Sequence, residues 1–241
     1  MTNVGIIGLG RWGNIIKDKI KDICKIKFET HRKDEFEDKL KSVEWVVVTT
    51  PIKSHYKIVK KCLLNKKNVF CEKPLTDNYR KTKELFILAK KKRVFLYVSD
   101  IENFKNKKIK LLKKNIIIRE KKSINFNEKI LHQLGYHDFT YLYSFIKNKK
   151  IKKIKIIKNN KIILNFILEF KNFSISFFYN RNSNRKVHSF NKHNLISKKD
   201  FIKIMFFKIF NKKVNFLKNR DISIFSNKII DKIIKTTKRN K

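Results

Sequence analysis

Asn3-Val4-Gly5-Ile6-Ile7-Gly8-Leu9-Gly10-Arg11-Trp12-Gly13-Asn14 joins a short apolar run to three glycines spaced G-x-G-x-x-G. The run has no helical period and reads as a buried strand. Residues from Asn14 to about Ile23 then read as a helix. Gly8 makes the tight turn, Gly10 lets the backbone approach a pyrophosphate, and Gly13 lets the helix pack close to the strand. The N–H groups at Arg11 to Gly13, with the positive end of the helix, are suited to phosphates. The chain holds five glycines, so three at this spacing between a strand and a helix point to a dinucleotide site.

Working outward, Lys25 to Thr30 is the second strand. An acid near its end, about 20 residues past the glycines, suits the ribose hydroxyls of NAD. The residues there are Glu29-Thr30-His31-Arg32. With Glu29 on the ribose, NAD is suited. With Thr30 in that place, His31 and Arg32 can hold a 2′-phosphate and NADP is suited. The two adjacent basic groups tilt the reading toward NADP.

Asp34 to Ser42 reads as a short charged helix and Glu44 to Thr49 as a buried strand broken at Thr50-Pro51. Ser54 is placed to cap the next helix, whose apolar positions are Ile58, Val59, Cys62 and Leu63. His55 lies in its first turn, as a structural or a functional histidine. Lys66 to Cys71 is a strand that ends in Glu72-Lys73-Pro74. Proline stops the ladder and biases Lys73 away from the helical region. Thr76 to Lys91 is a helix and Val94 to Ser99 a strand, with Tyr97, Asp100 and Glu102 where it exits, able to face substrate. The alternation predicts an open, doubly wound parallel sheet over residues 1–99, an α/β Rossmann-type domain.

Three pieces in this order, G-I-I-G-L-G-R-W-G, T-P-I-K-S-H-Y-K-I-V-K-K-C-L and K-N-V-F-C-E-K-P-L-T, resemble the Gfo/Idh/MocA family of oxidoreductases. The resemblance implies a nicotinamide cofactor, a sugar or polyol substrate, and a catalytic lysine in E-K-P, here Lys73. The cofactor side then comprises Gly8, Leu9, Gly10, Arg11, Trp12, Gly13, His31, Arg32, Thr50, Pro51, His55, Glu72 and Lys73.

Residues 100–241 predict a smaller α+β domain for substrate binding or oligomerisation. Ile101 to Leu112 reads as a polar helix and Asn115 to Arg119 as a strand. His132 to Ile146 is a helix, with Leu134, Asp138, Tyr141, Leu142 and Phe145 on one face and Gln133, His137 and Tyr141 on an adjacent one. It resembles the family's second-domain helix, where an Asp and a His four residues apart point at the substrate. His137 matches the His, whereas Gln133 replaces the Asp. A glutamine binds a hydroxyl but accepts no proton. Ile151 to Ile157, Lys161 to Phe170 and Phe173 to Tyr179 alternate as antiparallel strands, and Arg185 to Phe190 is a shorter one. Phe201 to Phe210 is helix or strand. Asp221 to Lys235 has helical spacing, with Lys235 to Lys241 as a frayed tail. This domain is short for the family.

Lys and Arg number 61 against 20 Asp and Glu, a net charge of +41. Lys, Ile, Asn and Phe abound, and Ala89 is the sole alanine. A nucleotide-composition bias yields this profile without selection for anions, so nucleic acid is not the expected partner. An acidic sugar derivative is compatible with the excess charge in the second half, which has 37 basic and 8 acidic side chains from residue 101 onward. No run of about 18 apolar residues exists, so no membrane helix is expected. Three cysteines without C-x-x-C spacing argue against disulfides and zinc. Together with a first strand starting near Asn3, these features predict a cytoplasmic protein.

The expected chemistry is hydride transfer between the nicotinamide and a sugar or polyol carbinol, with cell-surface carbohydrate metabolism as one setting. Such a reaction needs a base near neutrality. Desolvation and a cationic nicotinamide both disfavour the ammonium form of Lys73. Lys73, Gln133 and His137 form the substrate side, with Lys73 and His137 catalytic. The alternative is a non-catalytic dinucleotide-binding accessory or sensor of the same fold. A homo-oligomer through the second-domain sheet fits either reading.

Overall fold

The computed structural model describes residues 1–31, 36–105, 109–123, 126–197 and 199–239. Two compact units divide it: residues 1–104 with 200–227, and 105–199 with 228–241.

In the first unit, β1 (Asn3–Ile7), β2 (Lys25–Thr30), β3 (Trp45–Val48), β4 (Asn68–Cys71) and β5 (Leu96–Val98) form a parallel sheet in the order β2-β1-β3-β4-β5. Residues Trp45 to Val48 are all buried, as a parallel sheet covered on both faces requires. The helices are α1 (Arg11–Ile20), α2 (Ile52–Leu64) and α3 (Tyr79–Lys92). The expected order of strands and helices is therefore observed, except that the charged helix is a 3-10 segment, Asp38–Ser42. Its expected start at Asp34 lies outside the described residues.

Two local readings are corrected. α2 starts at Ile52 with Pro51 at its N-cap, so Ser54 is inside the helix. Its hydroxyl bonds the Pro51 carbonyl at 2.7 Å and Thr50 Oγ1 at 2.8 Å. Asn78, by contrast, caps α3, its carbonyl oxygen accepting from the N–H groups of Arg80 and Lys81. Of the polar helix expected over Ile101 to Leu112, the structure shows a 3-10 turn at Ile101–Phe104; residues 106–108 of that expectation lie outside the described residues.

The contiguous division at residue 99 is also revised. Helix α5 (Ile202–Phe210) and the first half of α6 (Phe216–Arg239) belong to the first unit. Ile202, Met205, Phe206 and Ile209 are buried in one cluster with Trp45, Phe70 and Tyr97. Phe206 meets Phe70 with centroids 4.3 Å apart, and Phe216 stacks on Phe95 at 4.3 Å. Full burial of each such side chain contributes roughly 1.5–3 kcal/mol, more than solvent offers them elsewhere. Asn219 of α6 then completes the sheet edge. Its amide donates to the Val98 carbonyl (2.8 Å) and accepts from the Val98 N–H (2.9 Å). A side chain thereby occupies the outward backbone pair of edge strand β5.

The second unit is a six-stranded sheet of β6 (Lys114–Lys122), β7 (Lys153–Asn159), β8 (Ile163–Glu169), β9 (Ser174–Asn180), β10 (Asn182–Phe190) and β11 (His193–Asn194), ordered β11-β10-β6-β9-β8-β7. All pairs are antiparallel except β6 with β9. β7, β8 and β9 meander as expected, whereas β10 returns beside β6. Ile117, Phe166, Leu168, Ile175, Phe177 and Phe190 are buried on one face. A π-helical segment, Leu131–Gly135, leads into α4 (Tyr136–Ile146) where a plain α-helix was expected. Helix α6 continues through the expected frayed segment as far as Arg239.

Candidate active site

In the first unit the chemistry gathers at the carboxyl edge of the parallel sheet. The chain leaves β1 toward β2 on one side and leaves β3 toward β4 on the other. This switch point opens a crevice between the loops after β1 and β3.

The loop after β1 is a cradle built around its glycines. Gly8 has φ +110°, and a Cβ there would meet the Thr50 nitrogen at 2.7 Å. Its N–H donates to the Thr30 carbonyl (2.8 Å), and its carbonyl accepts from Thr49 Oγ1 (2.6 Å). A Cβ on Gly13 would sit 2.0 Å from that same carbonyl, so only glycine lets α1 approach this closely. Gly10, in contrast, has nothing within 4 Å of where a Cβ would lie. It is the N-cap of α1 without a side-chain cap, and the first turn contains no acid. The helix N-terminus is thus left for an anion. Arg11 and Trp12 are exposed beside it, and Leu9 is half-buried.

At the end of β2, Glu29 forms an ion pair with Lys17 of α1 at 2.8 Å. Thr30 is buried and bonded through its carbonyl to Gly8, and His31 follows as an exposed residue. Arg32 lies outside the described residues.

The loops after β3 and β4 are tied together by His55. One ring nitrogen lies 2.6 Å from the Thr50 carbonyl and the other 3.0 Å from the Pro74 carbonyl. The imidazole is buried, so it acts as a brace between the Thr50-Pro51 bend and the Glu72-Lys73-Pro74 bend. The Lys73–Pro74 peptide is cis. Lys73 is half-buried directly past β4. Glu72 accepts from the Lys73 N–H through Oε2 at 3.2 Å, while its Oε1 is buried with no partner among the described residues. An open glycine, an uncapped helix and an orphaned buried carboxylate oxygen together fit a polar cofactor such as a dinucleotide.

Tyr97, Asp100 and Glu102, read as able to face substrate, are all buried. The Tyr97 hydroxyl donates to Asp100 Oδ1 at 2.5 Å and the Asn103 amide to Oδ2 at 3.0 Å. Burial pushes the Asp100 carboxyl up to about 6, partly offset by its hydrogen bonds from Tyr97, Asn219 and Asn103. The three thiols are buried as well, and burial raises each above the ordinary cysteine value. None is a thiolate nucleophile.

In the second unit, Gln133 and His137 are half-buried on the helical segment that starts at Leu131. The Gln133 amide donates to Ser123 Oγ at 2.6 Å. Beside His137 lies a group of residues that sequence reasoning missed. His188 of β10, Arg119 of β6 and Tyr179 of β9 are register partners and form one row across the sheet. Asp138 descends on this row from α4. Its Oδ1 is 2.6 Å from His188 Nε2 and 3.2 Å from Arg119 Nη1. Burial works against ionisation of Asp138, but His188 and Arg119, both paired with its Oδ1, outweigh it and hold the carboxyl low. Gly135 makes the approach feasible, since a Cβ there would lie 3.2 Å from the Tyr179 ring. The available signal was Arg119 two residues from buried Ile117, on the same strand face.

Residues 14–100 match a family model described as an oxidoreductase family with an NAD-binding Rossmann fold. An oxidoreductase of Schizosaccharomyces pombe, described as uncharacterized, is 43% identical over 63 residues; the match covers 26% of this chain and 17% of that protein. Among solved structures, UDP-N-acetylglucosamine 3-dehydrogenase GnnA from Acidithiobacillus ferrooxidans superposes with a TM-score of 0.78 at 12% identity, covering 93% of this chain and 95% of that one. The WlbA dehydrogenase from Thermus thermophilus, solved with NAD and UDP-GlcNAcA, gives a TM-score of 0.76 at 14% identity, covering 94% of both chains. At these identities the structural likeness establishes the fold.

Proposed function

Because the chain carries the NAD-binding Rossmann domain of the Gfo/Idh/MocA oxidoreductase family, we propose that it transfers hydride between a nicotinamide cofactor and a carbinol carbon of a sugar or polyol derivative. The observation that carries this reading is the joined edge of the parallel sheet. There His55 braces the bend after β3 to the bend that presents Lys73, next to the glycine cradle.

Gly10 to Gly13 would hold the pyrophosphate, and the bends at Thr50-Pro51 and Glu72-Lys73 would bound the nicotinamide end. When bound, the nicotinamide supplies the hydride acceptor or donor. The chain's own residues handle the proton. Lys73 takes it from, or returns it to, the reacting oxygen. His137 is the second acid–base group, and Gln133 orients a substrate hydroxyl. His55, read as part of the cofactor side, also positions these bends.

NADP is favoured over NAD. Glu29, the residue that would hold the ribose hydroxyls, is engaged by Lys17. Thr30 stands at the strand end and His31 follows it, which suits a 2′-phosphate. The cofactor that better protects the chain against thermal unfolding identifies the preference.

Lys73→Ala tests the whole reading. Turnover with a sugar panel should fall by at least 10²-fold, the usual scale of a lost acid–base group. NADPH binding, followed by nicotinamide fluorescence, should persist. Unchanged turnover in the variant would sink the assignment. A second reading is a non-catalytic dinucleotide sensor, favoured by Gln133 standing where the family carries an acid. It predicts cofactor binding without nicotinamide reduction by any sugar tested. Under either reading, the open face of the six-stranded sheet is proposed to pair with a second copy.

A further inference from the structure

Strand β6 and the residue that follows it set three side chains in line on the helix-facing side: Arg119, Lys121 and Ser123. The outer two reach the segment that carries Gln133 and His137. Arg119 Nη1 donates to Asp138 at 3.2 Å, and Ser123 Oγ accepts from the Gln133 amide at 2.6 Å. Lys121 therefore stands between these two contacts, about 6–7 Å along the strand from each. It is half-buried and makes no hydrogen bond or ion pair with any described residue.

Its surroundings are cationic. Burial lowers the affinity of the Lys121 amine for its proton, and Arg119 and Lys186 lower it further; Glu128 is the acid that opposes them. Asp138 offers no relief, because His188 and Arg119 already engage it. Base composition accounts for solvated lysines on an outer surface. It does not account for a desolvated one in the field of two other cations, beside the residues proposed to handle substrate. Burying a charge without a partner is unfavourable, and an incoming anion would reverse that.

We propose that Lys121, in the field of Arg119 and Lys186, binds an anionic group on the substrate, a carboxylate or a phosphate ester of a sugar. The proposal rests on the reading of Gln133 and His137 as the substrate side, and it names the substrate class that side takes.

The test uses glucose, glucuronate and glucose 6-phosphate as probes, titrated by calorimetry into the full chain loaded with NADPH or NADH. Glucuronate or glucose 6-phosphate should bind about ten-fold more tightly than glucose, the yield of one charge-assisted hydrogen bond. Lys121→Gln should abolish that margin and Lys121→Arg should retain it. The unliganded Lys121→Gln protein should melt no lower than the parent, since no partner among the described residues is lost; a merely structural lysine would lower the melting temperature. Equal binding of the three probes, or a margin that survives Lys121→Gln, overturns the proposal. If neither cofactor binds, the oxidoreductase reading fails separately, and the probe titrations on the unloaded chain decide the anion site by the same outcomes.

Discussion

Single residues in this chain divide sharply between those the backbone needs and those a ligand needs. Gly8 and Gly10 show the contrast within one loop. Gly8→Ala would place a methyl at φ +110° against the Thr50 nitrogen, and should destabilise the fold by about 1–3 kcal/mol or more in urea melts. Gly10→Ala meets nothing within 4 Å and should leave stability within about 0.5 kcal/mol. It should nonetheless weaken NADPH binding at least about ten-fold by filling the approach to the pyrophosphate. A Gly10→Ala protein that binds cofactor normally would remove the cradle from the proposal. Asp100 supplies a pH dependence. Its carboxyl is held at about 6 in the fold against an ordinary 3.8, so the folded chain keeps that proton more tightly. The stability gained is full below about pH 4 and is lost as pH rises through about 6. Asp100→Asn should therefore gain stability relative to the parent as pH goes from 4 to 7, by on the order of 2 kcal/mol. A difference that stays flat over this range contradicts the assignment.

Among the elements, α4 carries one buried carboxylate onto its sheet beside its apolar face of Phe139, Leu142 and Ile146. Asp138 is fully buried, and it meets Arg119 and His188 on two neighbouring strands. Asp138→Ala leaves the Arg119 guanidinium inside without its counter-charge and His188 without its hydrogen-bond partner, and should destabilise the protein by about 3–5 kcal/mol in denaturant titrations. A loss under 1 kcal/mol would mean that the row contributes little. The pH sign is opposite to that of Asp100. Asp138 has a lowered folded value, so its contribution is present above the ordinary carboxylate range and is lost as pH falls through that lower value. The helical start at Leu131–Gly135 is also an element-scale feature. Its residues read as helix from apolar spacing, which does not distinguish π from α geometry, nor encode the close approach of Gly135 to Tyr179.

For the whole molecule, the open face of the second sheet predicts association. Ile116 is exposed, and Ile118, Ile163, Ile167, Phe178 and Val187 remain partly exposed on the face opposite the buried one. Such a patch is suited to a second copy of the chain. Light scattering should find a dimer or larger species, and Phe178→Lys should shift it to monomer. A monomeric parent at micromolar concentration would end this expectation.

Much of the first unit was legible in the sequence because its signals are local. Buried parallel strands are continuous apolar runs, and glycine spacing reports backbone that no side chain tolerates. The G-x-G-x-x-G cradle, the Thr50-Pro51 bend and the run into Lys73 depend on neighbours a few residues apart. What the tertiary structure decided rests on partners distant in the chain. Residues 200–227 join the first unit because Phe206 and Phe216 find their apolar contacts on Phe70 and Phe95. His55 becomes a brace because two bends offer it carbonyls. Asp138, Arg119 and His188 meet because strand register aligns them. Local patterning thus determined the strands, helices and cradle of this protein, while long-range burial and register decided which charged side chains came to face one another. That is the physical reason the candidate cofactor site could be read from sequence and the cationic row beside Gln133 and His137 could not.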